Sequence, residues 1–61
     1  MNGLKAIMIQ VTKKTTVNQL FLDNGLKPEL YFASKNDEML KLQDEIEEGQ
    51  EIKVIPIIAG G

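Results

Sequence analysis

The short segment that begins at Thr16 is the feature that most limits what this chain can fold into. Thr16-Val17-Asn18-Gln19 fits a capping box, in which the first hydroxyl accepts from the fourth backbone N–H and the fourth side chain reaches back. Gly25 suits the left-handed position that ends a helix, and Pro28 prevents continuation, so the helix should end near Asn24. About eight residues are too few to persist alone in water. The apolar stripe of this helix must therefore pack on a sheet.

Segments typical of β-strands lie at both ends of the chain. Residues 4–11 alternate between two partly apolar faces, with Ile7, Ile9 and Val11 on one side and Leu4, Ala6 and Met8 on the other. Residues 51–58 predict the last strand. Pro56 should lie near the end of that strand or on an unpaired side, because proline cannot donate to a ladder.

The middle of the chain predicts a small hairpin followed by a loop. Residues 29–34 have the aromatic content of a strand, 35–38 are typical of a turn, and 39–40 suit a brief returning strand. We interpret 42–48 as an irregular loop with one apolar anchor, Ile46, before a tight turn at Gly49. The element order predicts an α+β domain spanning residues 1–61, with one helix across a small mixed sheet.

Composition excludes several function classes. The 61 residues contain no cysteine and no histidine, so disulfides and imidazole chemistry are absent. The net charge is −2 and all the basic residues are lysines, which argues against a nucleic-acid partner. No carboxylate pair stands in an apolar setting, so neither a catalytic site nor a metal site is expected. We find no signal or membrane-spanning pattern, and we expect a cytoplasmic protein without membrane contact.

Five acidic residues, Asp44, Glu45, Glu47, Glu48 and Glu51, fall within eight positions that contain no lysine. A solvated loop face is the simpler interpretation, and a docking patch for a basic partner is the alternative.

The stretch from Thr15 to Gly61 resembles the ubiquitin-like β-grasp family of small sulfur carriers, the ThiS/MoaD type. The matching pieces are Thr16-Val17 at the helix start, Leu26 and Pro28 after it, Lys35-Asn36 at the turn, Glu48-Gly49-Gln50-Glu51 before the last strand, and the terminal Ile57-Ile58-Ala59-Gly60-Gly61. The resemblance implies a β-grasp fold and a flexible C-terminal tail over 57–61.

One strand of the family pattern is missing or replaced. The family has two antiparallel strands before the helix, joined by a turn such as Asn-Gly, whereas here Asn2-Gly3 stands at the very start. Three arrangements would compensate: residues 4–11 take the place beside the last strand, a second chain lends a strand, or the natural start lies upstream. An unfilled sheet edge would favour a homodimer formed by strand pairing.

The resemblance implies that the chain is a carrier and not an enzyme. An E1-like adenylating enzyme, using ATP and Mg²⁺, would join AMP to the Gly61 carboxylate, and sulfur from a sulfur donor protein would convert it to a thiocarboxylate. A sulfur-accepting synthase in thiamine or molybdopterin biosynthesis, or a tRNA thiolation system, would receive the sulfur. Gly60, Ala59 and Ile58 would thread into the partner, because glycine has no side chain to clash in a narrow channel.

Two other functions are compatible with this sequence. A ubiquitin-like protein modifier would transfer the activated Gly61 to a lysine amine. A β-grasp interaction module would never be activated and would bind through its sheet. Candidate contact residues on the sheet are Leu4, Ala6 and Met8, or Tyr31 and Met39, since strand parity does not say which side faces the helix.

Overall fold

The secondary-structure elements found in residues 6–58 are short, and six of the eight are strands. A computed structural model of the protein describes residues 6–58. The elements are β1 (Ile7–Gln10), β2 (Thr15–Thr16), α1 (Val17–Asp23), a 3₁₀ turn (Pro28–Leu30), β3 (Tyr31–Lys35), β4 (Glu38–Leu40), β5 (Glu45–Ile46) and β6 (Glu51–Pro56). Within this range no helix is long and apolar enough to cross a bilayer.

One larger sheet has the strand order β1-β6-β3-β4, and β2 pairs with β5 in a separate two-stranded ladder. Helix α1 packs on one face of the larger sheet through a shared apolar core. This confirms the predicted α+β arrangement of one helix on a small sheet. The expected mixture of parallel and antiparallel pairs is not observed among residues 6–58, where every strand pair is antiparallel.

Strand β1 lies beside the last strand, at the place left by the missing first strand. It runs antiparallel to β6, with Ile7 opposite Val54 and Ile9 opposite Ile52. Of the three compensating arrangements, the N-terminal strand itself therefore takes the position next to β6. Since β1 has only one neighbour in the sheet, its other side is an edge of the described sheet.

Pro56 lies in β6 with its nitrogen directed towards the β1 side of the sheet. The Ile57 N–H donates to the Leu30 carbonyl at 2.8 Å, so this pair extends the ladder between β3 and β6. Hydrogen bonding alternates along antiparallel strands, and the nitrogen of Pro56 therefore faces away from β3, towards β1. Proline has no N–H to offer there. Strand β6 ends at Pro56, two residues before the predicted bound of 58, and the prediction that the proline lies near the end of the strand is confirmed.

Helix α1 begins and ends where the sequence predicts. The Gln19 N–H donates to the Thr16 hydroxyl at 3.2 Å, which confirms the cap. The prediction that the Gln19 side chain reaches back to complete the capping box is wrong. This side chain donates instead to the Asp23 carboxylate at 2.8 Å. At the other end Gly25 has a φ of 70°, and the Leu26 N–H donates back to the Phe21 carbonyl at 2.8 Å. This is the Schellman geometry that glycine permits.

Part of the predicted irregular loop is a strand that supports the helix. Ile46 in β5 is fully buried and belongs to the core, and β5 pairs with β2. The carbonyls of Asp44 and Leu42 accept from the N–H groups of Val17 and Asn18 at 3.1 and 2.9 Å. Since the first N–H groups of a helix have no partner inside it, this segment supplies partners that the sequence pattern did not reveal.

The hairpin forms with slightly different bounds from those predicted. Strand β3 begins at Tyr31, because Pro28–Leu30 forms a 3₁₀ turn before it. Asn36 and Asp37 have φ values of 51° and 68°, which confirms a tight turn of the kind that joins twisted strands. Gly49, with a φ of 90°, confirms the second turn.

The core is built where α1, β5 and the larger sheet meet. Its buried members are Val11, Val17, Leu20, Phe21, Ala33, Ile46, Ile52 and Val54, with Ile9, Leu26, Tyr31 and Leu40 packed at its margin. All of these side chains lie on the helix side of the larger sheet or on the helix and its support. The opposite face of the sheet is therefore left outside this core.

Candidate functional site

The end of β6 is where the chain leaves the folded body. Ile57 continues past β6, and its backbone N–H is held by the Leu30 carbonyl. Ile58 follows with 67% of its surface exposed. The other predicted site residues, Ala59, Gly60 and Gly61, lie outside the described residues. Among the predicted set, Ile58 is thus the one whose place is described, and it lies outside the core.

The Leu30 carbonyl is a part of this exit that the sequence analysis missed. It belongs to the last residue of the 3₁₀ turn, and the bond joins positions that are far apart in the sequence. The Leu30 side chain is 50% exposed, so its apolar packing gives no hint of the contact. We call the Leu30–Ile57 hydrogen bond the exit anchor, because it fixes the last backbone contact described before the C-terminal end.

The face of the sheet opposite α1 starts at the same exit. Strand alternation places residues that pair with one another on a common face. Phe32 pairs with Ile55, and Ser34 pairs with Lys53, while the neighbouring positions Ala33 and Val54 enter the core. Phe32 and Ile55 are half-buried at a face where α1 does not cover them. We call this side of the sheet the open face.

Two methionines extend the open face to both edges of the sheet. Met8 lies opposite Lys53 on β1, and Met39 lies opposite Ser34 on β4. Met8 is 51% exposed and Met39 is 69% exposed. Flexible thioether side chains on an uncovered surface adapt well to a partner. The open face is therefore mixed: Phe32 and Ile55 are apolar, and the two methionines at the edges are separated by Ser34 and Lys53.

The structure separates the candidate contact residues that strand parity left ambiguous. Met8 and Met39 lie on the open face, Ala6 is exposed, and Tyr31 packs at the margin of the core. Leu4 lies outside the described residues. The sequence analysis did not identify Phe32 and Ile55 as residues of this face. Each is next to a buried residue, Ala33 or Val54, so strand alternation would have placed both on the open face once the helix side was known.

The acidic residues lie along the segment that supports the helix. Glu45, Glu47, Glu48 and Glu51 are exposed, as a solvated loop face requires. Asp44 is half-buried and its carboxylate accepts from the Lys41 N–H at 2.9 Å, which closes a local turn. The nearest ion pair joins Lys14 to Glu45 at 3.7 Å with both side chains exposed, and such pairs contribute little stability.

The polar groups of residues 6–58 are dispersed over the surface. In that range no three acidic side chains are grouped so that they could hold a metal ion. A shallow groove at the hairpin end of the open face is lined by residues that include Ser34, Asn36 and Lys53. It is an open surface feature, and it encloses no buried titratable group.

Comparison with known proteins places the chain in a family. The sequence model of the ThiS family matches residues 4–61, which is nearly the whole chain and includes the terminal Gly-Gly. No curated protein and no solved structure matches the chain significantly. The ThiS family has the β-grasp fold, and its members are small carrier proteins rather than enzymes, generally working with E1-like adenylating enzymes and synthases. The chain belongs to the ThiS family, which suggests a general role as a sulfur carrier.

Proposed function

We propose that this protein carries sulfur as a thiocarboxylate on its C-terminal residue, Gly61. An E1-like enzyme activates the carboxylate with ATP and Mg²⁺, a sulfur donor protein supplies the sulfur, and a synthase accepts it. The observation that carries the proposal is the family match through Gly61, on a chain whose last described residue, Ile58, is already outside the core.

The length of the chain after the exit anchor supports this proposal. The exit anchor is the last described backbone contact, at Ile57, and in this proposal residues 58–61 are the free segment that enters the partner. Fully extended, these residues reach about 13–14 Å from the body at about 3.3–3.6 Å per residue. That is long enough to enter a narrow active-site channel while the body stays outside. Two terminal glycines keep the leading part of this segment thin.

The first chemical step needs only a free carboxylate from this chain. A carboxylate oxygen of Gly61 attacks the α-phosphorus of ATP, a mixed anhydride with AMP forms, and pyrophosphate leaves. An α-carboxyl group is ionised at neutral pH, so nucleophile and nucleotide repel each other. The activating enzyme supplies Mg²⁺ and cationic side chains to offset that repulsion.

The second stage replaces AMP by sulfur. The terminal sulfur of a donor persulfide attacks the Gly61 carbonyl carbon, AMP leaves, and an acyl persulfide forms. A thiol of the activating system then attacks the other sulfur, which breaks the S–S bond and makes a disulfide. The electron pair of that bond stays on the released sulfur, and Gly61 ends as a thiocarboxylate. The synthase that consumes it determines whether the sulfur enters thiamine, molybdopterin or thiolated tRNA.

The folded body acts as a handle in this scheme. Phe32, Ile55, Met8 and Met39 provide an apolar docking surface next to the exit of the chain. Docking there would hold the free segment at the mouth of the partner's channel. Carrying the reacting group into a fixed position lowers the entropic cost of each transfer.

Intact mass spectrometry of the protein from its native cells tests the proposal. An oxygen-to-sulfur mass increase located on Gly61 is expected. An isopeptide remnant of Gly61 on lysines of other proteins would instead identify a modifier, and an unchanged terminus under conditions of sulfur demand would favour an interaction module. Either of the last two results contradicts the carrier proposal.

Two variants distinguish the contribution of the C-terminal residues from that of the folded body. Adding one residue after Gly61 removes the reactive carboxylate from its position and should abolish pyrophosphate exchange by the E1-like enzyme. Met39→Lys changes the open face and should weaken docking, seen as a higher KM, with a smaller effect on kcat. Equal activity of the extended and native chains would exclude activation at Gly61.

A further inference from the structure

We propose that two copies of this protein associate through the outer edge of β1, where the strands pair antiparallel about a two-fold axis at Met8. This self-association is independent of the sulfur-carrier proposal. It would join the two four-stranded sheets into one continuous sheet. The partner is a second copy of this chain, and the argument rests on the backbone, the charges and the shape of this edge.

Among residues 6–58, no strand pairs with the outward-facing backbone groups of β1. The Val11 N–H donates to the Gln50 carbonyl at 2.8 Å, so Val11 faces β6. By the alternation of antiparallel strands, Ile9 and Ile7 also face β6, while the N–H and C=O groups of Met8 and Gln10 point outwards. A strand added at this edge would find donors and acceptors at the spacing that a ladder requires.

The edge at β1 has fewer of the features that prevent strand addition than the edge at β4, although β1 has only four residues and Lys5 precedes residue 6 in the sequence. Residues 6–12 contain no charged residue and no proline. The opposite edge of the sheet, β4, has three residues and is bounded by Glu38 and Lys41. Charged residues and short length are the common means of blunting an edge. Strand addition is therefore favoured at β1 over β4.

Shape favours a second copy of β1 as the added strand. A groove of about 190 Å³ lies beside β1, between this strand, the loop after it and helix α1; its walls combine the apolar Ile9, Val11 and Leu20 with polar residues that include Lys13 and Asp23. None of the described residues that line it comes from β6, so the groove opens on the outer side of β1. Ile7 lies on the same face of the sheet and is 39% exposed.

The proposed register brings the exposed side chain to the groove. With Met8 opposite Met8 of the second copy, Ile7 of each chain lies opposite Ile9 of the other. These would be non-hydrogen-bonded pairs, in which side chains approach most closely. Each Ile7 would enter the groove beside Ile9 and Leu20 of the other chain. About six backbone hydrogen bonds would form, from Met8 at the centre and from Ala6 and Gln10 on either side.

The pairing should be weak and reversible. One strand pair covers less surface than a stable interface needs, so we expect a dissociation constant on the order of 100 μM. Because the two β1 strands run antiparallel, the two β6 strands point in opposite directions. The two C-terminal segments therefore leave at opposite ends of the joined sheet.

Sedimentation equilibrium of the full chain between about 10 μM and about 1 mM tests the proposal over the expected range of dissociation constants. The average mass should rise from 6.8 kDa towards the mass of a dimer. Over the same range, the amide NMR signals of Met8 and Gln10 should shift with concentration, and that of Met39 should not. Met8→Lys places two like charges at the axis and should weaken association about ten-fold.

Mixing variants of opposite charge at position 8 tests whether the two Met8 residues lie opposite each other. Met39→Lys, on the other edge strand, is the matched control. Met8→Lys and Met8→Glu should each be monomeric at about 100 μM, and their mixture should form dimers, because the opposite charges meet at the axis. Met39→Lys should dimerise like the native chain, and circular dichroism should show all variants folded. A native chain that stays monomeric to about 1 mM, an equal effect of Met39→Lys, or no rescue in the mixture would each overturn the proposal.

Discussion

Deleting Ile58 shortens the free segment by one residue and tests how firmly the exit anchor holds. The deletion leaves Ile57-Ala59-Gly60-Gly61 at the end of the chain, so the last four residue types are unchanged. Gly61 is withdrawn by about 3.3–3.6 Å. The folded body should be unaffected, because Ile58 is 67% exposed.

The magnitude follows from the strength of the anchor. Releasing the Ile57 N–H from the Leu30 carbonyl would free one more residue, and this restores the lost reach. A single hydrogen bond of this kind contributes about 1 kcal/mol of net stability. At about 1.4 kcal/mol for each factor of ten, the deletion should lower kcat/KM for adenylation about five-fold. Deleting both Ile58 and Ala59 removes more length than the release of Ile57 can restore. This double deletion should lower kcat/KM for adenylation about 100-fold or more, since small misplacements at a reacting centre are costly.

Pyrophosphate exchange by the E1-like enzyme measures both deletions against the native chain. Ile57→Pro provides the control, because it removes the anchoring N–H at full length; it should lower the free energy of unfolding by about 1 kcal/mol and leave adenylation nearly unchanged. A single deletion that costs as much as the double deletion would show that the exit is rigid. A single deletion without any effect would show that reach does not limit the reaction.

Three further predictions concern stability and are measured by urea denaturation. Ile46→Ala should cost about 2–5 kcal/mol, because this side chain is fully buried, whereas Leu42→Ala, at 40% exposed, should cost less than about 1 kcal/mol; equal losses would contradict the role of β5 in the core. Thr16→Ala should lower the free energy of unfolding by about 1 kcal/mol through loss of the helix cap. Gln19→Ala should lower it by only a few tenths of a kcal/mol, because the Gln19 side chain does not complete the capping box. A larger loss for Gln19→Ala than for Thr16→Ala would indicate that the Gln19 side chain does complete the box. Asp37→Gly should raise stability by about 0.5–1 kcal/mol, because φ is 68° there and glycine adopts it without strain; a loss would show that the aspartate makes a favourable contact.

The open face and the exit anchor are built on the same two strands. Phe32 and Ile55 lie in the same two strands whose ladder continues to Leu30 and Ile57. A partner that contacts this pair therefore contacts the elements that fix where the free segment begins.

Local features were predicted well because short-range stereochemistry decides them. The Thr16 cap, the glycine at position 25 and the turn at Asn36 and Asp37 each depend on residues within a few positions of one another. The end of β6 at Pro56 follows from a missing N–H. The terminal glycines and the order of the elements were likewise enough to recognise the family.

Contacts between distant residues were decided only by the tertiary structure. The antiparallel placement of β1 beside β6, the support of α1 by the Asp44 carbonyl and the exit anchor at Leu30 all join segments that are far apart in the chain. Each depends on register and on which sheet face the helix covers, and a period-2 pattern with apolar residues on both sides fits either face. The sequence by itself determined the local elements and the family, while packing decided which edge and which face of the described sheet remain uncovered.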